Sequence, residues 1–376
     1  MTYRQARATV TARSTYFSPA CARILYGTAD QPTRWHRRPA TTVPGATVFG
    51  IEILVPDPKA ENAQAFAVFH LGADSSDLLG ILRAVAGRRA STTQSPNLAA
   101  LLPTWVTLTA GARPFTIAFL TRLEPDLPPP PNSEPVPGWS TTDLWLWQLA
   151  TRTSHTDFPP DPDHAADLHL GKVVLSADWR GFVARDGAAF LGQRPDQGDD
   201  DPYLGYAQYY THAAYTDALL IGMIQNTAIA ALIDETALAF NARDLPRHLA
   251  RLETRLARFR AIYWLRDASH HGPANNILTA YQAQHHLPEK FDAILNEIAD
   301  LNRIAQTQEG TRTSAALGLL TVVGLPFGAA LGVLQVLGAD TIRDLLLALA
   351  GAVAGTAVLL ITRLGRVLLR SLRRLE

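Results

Sequence analysis

The chain has 376 residues, enough for two or three domains, and its 34 basic side chains are balanced by 34 acidic ones. That balance excludes a global field that would draw nucleic acid, so no nucleic-acid partner is expected. Cys21 is the only cysteine, which excludes an internal disulfide and any multi-cysteine metal site.

The opening stretch, MTYRQARATVTARSTYF, is basic and polar and lacks the apolar h-region of a secretory signal. Residues 1–44 read as a poorly ordered basic leader, and the large part that follows is expected to stay in the cytoplasm.

Residues 45–200 read as an α/β domain. GATVFGIEILVP and AFAVFHLGA are apolar runs ended by turn residues, the signature of strands. Ser76-Asp77 then caps a helical pattern, LLGILRAVAG, that closes at Gly87. TWVTLTA and PFTIAFLTR follow as two further strands split by Gly111-Ala112-Arg113. The order β-β-α-β-β predicts one helix laid on one sheet. Residues 123–138, LEPDLPPPPNSEPVPG, form an extended proline linker. Ser140 to Asp143 supply capping residues ahead of the aromatic-rich helix LWLWQLA. Lys172 to Gly192 reads as a hairpin turning at Arg185-Asp186-Gly187.

From Asp201 the period becomes helical, with Asp201 as N-cap and Pro202 at the first helical position. Helices are predicted over about 203–241, 245–267 and 275–286, and from Pro288 onward. Between Pro288 and the uncharged run only Gly310 interrupts, at a cost of about 1 kcal/mol, so one rod from Pro288 to Leu337 is expected. Residues 201–313 thus form a long-helix bundle and stalk.

Residues 314–376 carry the clearest signal. No charge occurs between Arg312 and Asp340, and none between Asp344 and Arg363. As helices, Ala315 to Leu337 would span about 35 Å and Leu345 to Ile361 about 25 Å, lengths that suit a hydrocarbon core of roughly 30 Å. The pattern reads as a transmembrane hairpin; its alternative is a buried hairpin in a large core. Arg363, Arg366, Arg370, Arg373 and Arg374 follow the second run and Arg303 and Arg312 precede the first, which puts both termini in the cytoplasm. The expected fold class is therefore an α+β cytoplasmic domain, then long helices, then a C-terminal two-span α-helical hairpin. The expected location is the plasma (inner) membrane.

Within the first run, Thr307, Ser314, Thr321, Gly328 and Gln335 fall in heptad steps, and all are small or polar. Ser314, Thr321, Gly328 and Gln335 are the pore-lining candidates, because polar groups in lipid face a bundle interior or an aqueous path. Chance alone gives two polar positions one register about one time in seven. Gly324, Gly328 and Gly332 make a small-residue ladder, and Gly351 and Gly355 repeat it; with a kink at Pro326 they suit close helix packing.

Two clusters suit a divalent ion. Asp161, Asp163, His164, Asp167 and His169 offer oxygen and imidazole ligands, and Asp199-Asp200-Asp201 offers carboxylates. Their plain alternatives are a solvated loop and an acidic helix start. The chain has no G-x-x-x-x-G-K-[ST], G-x-G-x-x-G, G-x-S-x-G or H-E-x-x-H, so no enzyme and no required cofactor is expected.

The order of parts resembles the CorA-type magnesium transporters over about residues 160–376. The likeness in sequence rests on LPEKFDAILNEIADLNRI and LTVVGLPFGAALGV. The resemblance implies a homo-oligomer, pentameric in that family, with the first span lining the pore and acidic cytoplasmic sites sensing Mg²⁺. One departure matters. The family's Gly-Met-Asn is replaced here by Gly332-Val333-Leu334-Gln335-Val336-Leu337-Gly338, so magnesium selectivity does not carry over. The expectation is a CorA-like oligomeric channel or transporter for cations, Mg²⁺ or another divalent ion among them, with altered selectivity. The alternative is a membrane-anchored sensor or effector module whose hairpin anchors or perforates the bilayer.

Overall fold

The computed structural model describes residues 13–361 apart from 61–62, 74–76, 88–93, 110, 199–200, 241, 243, 266 and 338–341. The chain divides into two units, Met1–Asp234 with Thr254–Ala293, and Glu235–Glu253 with Ile294–Glu376.

The supposed leader belongs, from residue 13, to the folded part of the first unit. Ser18 caps α1 (Pro19–Tyr26), and Phe17, Cys21, Ile24 and Leu25 are buried at the spacing of one helix face. That stripe explains the correction: a basic, polar average concealed four apolar residues on one side. The remaining leader residues, 1–12, lie outside those described.

Among the described residues the strands form two four-stranded sheets rather than one. In the first, β3 (Ala46–Leu54) is central. It pairs antiparallel with β1 (Arg34–Arg37) and β2 (Thr41–Val43) on one side and with β4 (Phe66–Gly72) on the other. An irregularity between Val48 and Gly50 puts Val48 on the side of Ile51 and Ile53, in an apolar cluster with Leu98, Leu101, Leu102 and Val106. Alternation from Gly50 onward turns Glu52 to the opposite face. Asp77 caps α2 (Leu78–Val85), as expected.

TWVTLTA is not a strand. Trp105 and Leu108 are exposed, and the next strand, β5 (Thr116–Arg122), pairs instead with a distant one. Its partner, β8 (Gly187–Pro195), is buried along GAAFLG and so needs neighbours on both edges. β5 runs parallel to β8 on one side, and β7 (Trp179–Val183) antiparallel on the other. β6 (Lys172–Ser176) extends the expected hairpin to a three-stranded meander. α3 (Thr141–Thr151), held by a Ser140–Asp143 capping box, packs Leu146, Trp147, Leu149 and Ala150 on this sheet. The proline linker is partly packed too: Val136 is buried beside Leu144 and Ala165, and the Trp145 indole N–H donates to the Pro128 carbonyl at 2.7 Å.

The helical part begins at α4 (Pro202–Tyr210), capped by Asp201. One π turn, Thr211–Tyr215, joins it to α5 (Thr216–Ala239). Together these are the one described helix long and apolar enough to cross a membrane, but 61 % of its most apolar window is buried inside the protein, as suits a core helix. Next come α6 (Leu245–Ile262) and α7 (Gly272–Gln284). α8 (Leu287–Leu337) is a single helix that runs through Gly310, and α9 (Ile342–Ile361) closes the described part. The second unit has its own small core of Ala239, Leu249, Leu301 and Ala305.

Candidate functional site

Strand parity assembles a heavily charged cluster in the interior of the first unit. Residues opposite one another across paired strands share a face, so His36 of β1, Glu52 of β3 and Val68 of β4 lie in one row. Arg34, two residues along β1, and His70, two along β4, share that face. His70 stands opposite Gly50, where an added Cβ would sit 3.2 Å from the imidazole Cδ2. A glycine there leaves room for the ring to lean over β3 toward Glu52.

The helix that faces this sheet supplies Asp217 and His212. In a regular helix, residues five apart point about 140° away from each other. The wider i→i+5 turn at Thr211–Tyr215 brings His212 and Asp217 toward the same side. Two local bonds hold it: the Thr216 hydroxyl donates to the Thr211 carbonyl at 2.6 Å, and the Thr211 hydroxyl to that of Ala207 at 2.9 Å.

Two arginines and two acids then close a neutral cluster. Arg13 donates to Asp217 Oδ2 at 3.1 Å and Oδ1 at 2.9 Å, and to Glu52 Oε1 at 3.0 Å. Arg34 donates to Asp217 Oδ1 at 2.6 Å and pairs with Glu52 Oε2. The Tyr26 hydroxyl donates to Asp217 Oδ2, and both guanidinium groups lie near its ring, at 5.8 and 5.5 Å from the centroid. Asp217 is 0 % exposed, Arg13 5 %, Arg34 and Glu52 7 %, so water screens none of these charges. Burial alone would raise both acids. Arg34 and Arg13 outweigh it at Glu52 and hold that carboxyl well below its ordinary range; at Asp217, Arg13 and Arg34 also outweigh it, and that carboxyl is lowered.

Beyond Glu52 the network turns outward. His70 Nε2 lies 3.1 Å from Glu52 Oε1, and His70 Nδ1 lies 3.1 Å from His212 Nδ1. Because a carboxylate only accepts, Nε2 of His70 carries the proton in that contact, and its Nδ1 is left facing His212. Burial, reinforced by His70, lowers the His212 pKa to about 4, so that ring is neutral near pH 7. Phe49 touches both imidazoles.

The two histidines line a cleft of about 1810 Å³ in the first unit. One wall is β4 and another is β5, each the edge strand of its own sheet. Phe66, Phe69, Leu78, Leu82 and Phe119 make much of the lining apolar, and His285 and Tyr281 close one side. His285 stacks on Tyr281 at 4.2 Å. Burial and the nearby Lys290 and Arg185 lower its pKa to about 4. An apolar cleft with a few convergent polar groups is the general form of a ligand site.

The residues chosen from sequence lie elsewhere. Asp201 caps α4, accepting from the Leu204 N–H at 3.1 Å, and binds Arg194 at 2.7 Å, while Asp199 and Asp200 lie outside the described residues. Asp161 accepts from its own loop, from the Asp163 N–H at 2.9 Å, and pairs with His164 at 3.0 Å. Asp163 and His164 are exposed, His169 packs by Trp139, and the Asp167 side chain lies outside the description. Among the described residues no group of three or more His, Cys, Asp or Glu converges as a metal site. On α8, Thr321 is exposed and its hydroxyl donates to the Leu317 carbonyl at 2.8 Å. A Cβ added at Gly324, Gly328, Gly332 or Gly351 meets open space. Gly355 is half-buried, and the side chains of Ser314, Pro326 and Gln335 lie outside the description.

The charged cluster escaped the sequence reading, although it left a trace. Glu52 in GIEIL, His70 in AVFHLG and Asp217 in YTDALLIG each stand alone in an apolar run. A lone titratable side chain there has to meet a partner from another element. No protein-family model matches the chain, nor does any curated protein or solved structure.

Proposed function

We propose that this protein is a CorA-like oligomeric membrane channel or transporter for cations, with selectivity altered by the loss of Gly-Met-Asn. One observation carries the reading. α8 passes without interruption from a charged, amphipathic segment to an uncharged one whose Leu317, Leu320 and Leu331 are 59–72 % exposed. α9 likewise exposes Leu346, Leu347, Leu349, Val353 and Val358. Each such side chain forgoes roughly 1.5–3 kcal/mol of burial while it faces water. Lipid and neighbouring copies of the same helices would relieve that cost, which supports a two-span hairpin with both termini on the cytoplasmic side. In a ring, the stripe Ser314, Thr321, Gly328 and Gln335 would face the axis and conduct past hydroxyl and amide dipoles.

Cation flux into liposomes tests the proposal, with wild type compared against Gln335→Leu. The expected result is flux that changes in rate or ion preference in the variant. A well-folded oligomer that passes no ion would overturn it, as would a monomeric mass in detergent, since one hairpin encloses no pore. A second reading is favoured by the large cleft beside His70 and His212: a membrane-anchored sensor, whose soluble part binds a ligand while the hairpin only anchors it.

A further inference from the structure

We propose that His70 and His212 form the protein part of a site for a divalent transition-metal ion of the Zn²⁺ type, open to the cleft. The site is independent of the pore reading and of the acidic clusters considered from sequence.

The first observation is the spacing. Two imidazole nitrogens bound to one tetrahedral Zn²⁺ at 2.0–2.1 Å lie about 3.3 Å apart. Here the two Nδ1 atoms are 3.1 Å apart, so a shift of a few tenths of an ångström with a turn of each ring by about 35° off the N–N line aims both nitrogens at one tetrahedral ion. The second observation is orientation. A histidine that ligates a metal characteristically donates its other ring N–H to a carboxylate, which fixes the tautomer and aims the lone pair. His70 has that arrangement, with Nε2 3.1 Å from Glu52 Oε1. Glu52 is itself immobilised as a carboxylate by Arg13 and Arg34. The orienting group is thus one of four charged side chains in a buried network, more than a solvated histidine pair needs.

Without metal, the pair is satisfied by one N–H···N hydrogen bond, His212 Nδ1–H donating to His70 Nδ1. Metal binding requires His212 to hold its proton on Nε2, a change of tautomer with no net proton release. The chemistry of the donors decides the ion. Two neutral imidazoles suit Zn²⁺, Ni²⁺, Co²⁺ or Cu²⁺, whereas Mg²⁺ and Ca²⁺ prefer oxygen. Two protein ligands leave coordination positions unfilled, and these face the cleft, where water or a solute group completes the sphere.

Titrating the full-length, chelator-treated protein in detergent with Zn²⁺ by calorimetry tests the assignment. One equivalent per chain is expected, weakened at least tenfold in His70→Ala and in His212→Ala and unchanged in His285→Ala, which alters the same cleft. X-ray absorption of the Zn²⁺-bound wild type needs no variant, and should show two imidazole nitrogens at about 2.0 Å. No bound equivalent, binding that survives both substitutions, or a zinc shell without two imidazoles overturns the proposal.

Discussion

The two units invert the usual placement of charge and oil in opposite ways. In the first, four ionised side chains lie at 7 % exposure or less, while in the second, long apolar side chains on α8 and α9 stand more than half exposed. The difference shows what each requires. Arg13, Arg34, Glu52 and Asp217 tolerate burial because each charge finds opposite charge within hydrogen-bond reach. Among the described residues the exposed leucines and valines meet no such partner, and a surrounding other than water is what the proposed hairpin would supply.

The largest way to break that comparison is to remove one charge from the buried set. Asp217→Asn leaves two guanidinium groups to one carboxylate and is expected to cost about 3–5 kcal/mol in denaturant unfolding, since the surplus charge stays buried. A loss under about 1 kcal/mol would show that water reaches the cluster.

The matching change in the second unit is Val353→Arg, at a position 56 % exposed. An arginine at the middle of a membrane helix costs about 3 kcal/mol of insertion, so the variant should be extracted from membranes by alkaline carbonate where wild type resists. The same substitution at Tyr206, 65 % exposed in the first unit, should leave extraction unchanged. Equal behaviour of the two variants would remove the case for lipid around α9.

Gly50→Ala is smaller and more local. Its new Cβ, 3.2 Å from the His70 ring, should push the imidazole off Glu52 at about 1 kcal/mol of overpacking. Histidine NMR would read this as loss of the Nε2–H signal held by the carboxylate.

The smallest expected effect is a slope against pH. With its pKa lowered to about 4 by burial, then by Lys290 and Arg185, His285 stays neutral in the folded state while the unfolded chain takes up a proton near 6.5. Stability should therefore decline as pH falls from about 6.5 to about 4, and level off below. His285→Phe keeps a ring on Tyr281 and should lessen that slope, with His212, also lowered to about 4, supplying part of what remains. An unchanged slope would place the responsible group elsewhere.

Much of the helical half was legible, because its evidence is local. Asp201 before Pro202, Ser140 ahead of Asp143 and the stripe through Leu249, Leu252, Leu256 and Phe259 each mark a helix without reference to distant residues. The sheets were harder. GATVFGIEILVP and PFTIAFLTR are strands as read, yet their allegiance to separate sheets depends on β8, some seventy residues beyond β5. TWVTLTA has strand composition but pairs with no strand among the described residues, since composition reports only fitness for a pleated surface.

Sequence by itself determined the apolar runs of α8 and α9, their length against a bilayer, and the arginine bias around them, because those properties are sums over neighbouring residues. Only the tertiary structure decided that Arg13 meets Asp217 across 204 positions, or that His70 and His212 come nitrogen to nitrogen. The physical reason is that pairing of buried charge is set by strand register and one π turn, which no local pattern encodes.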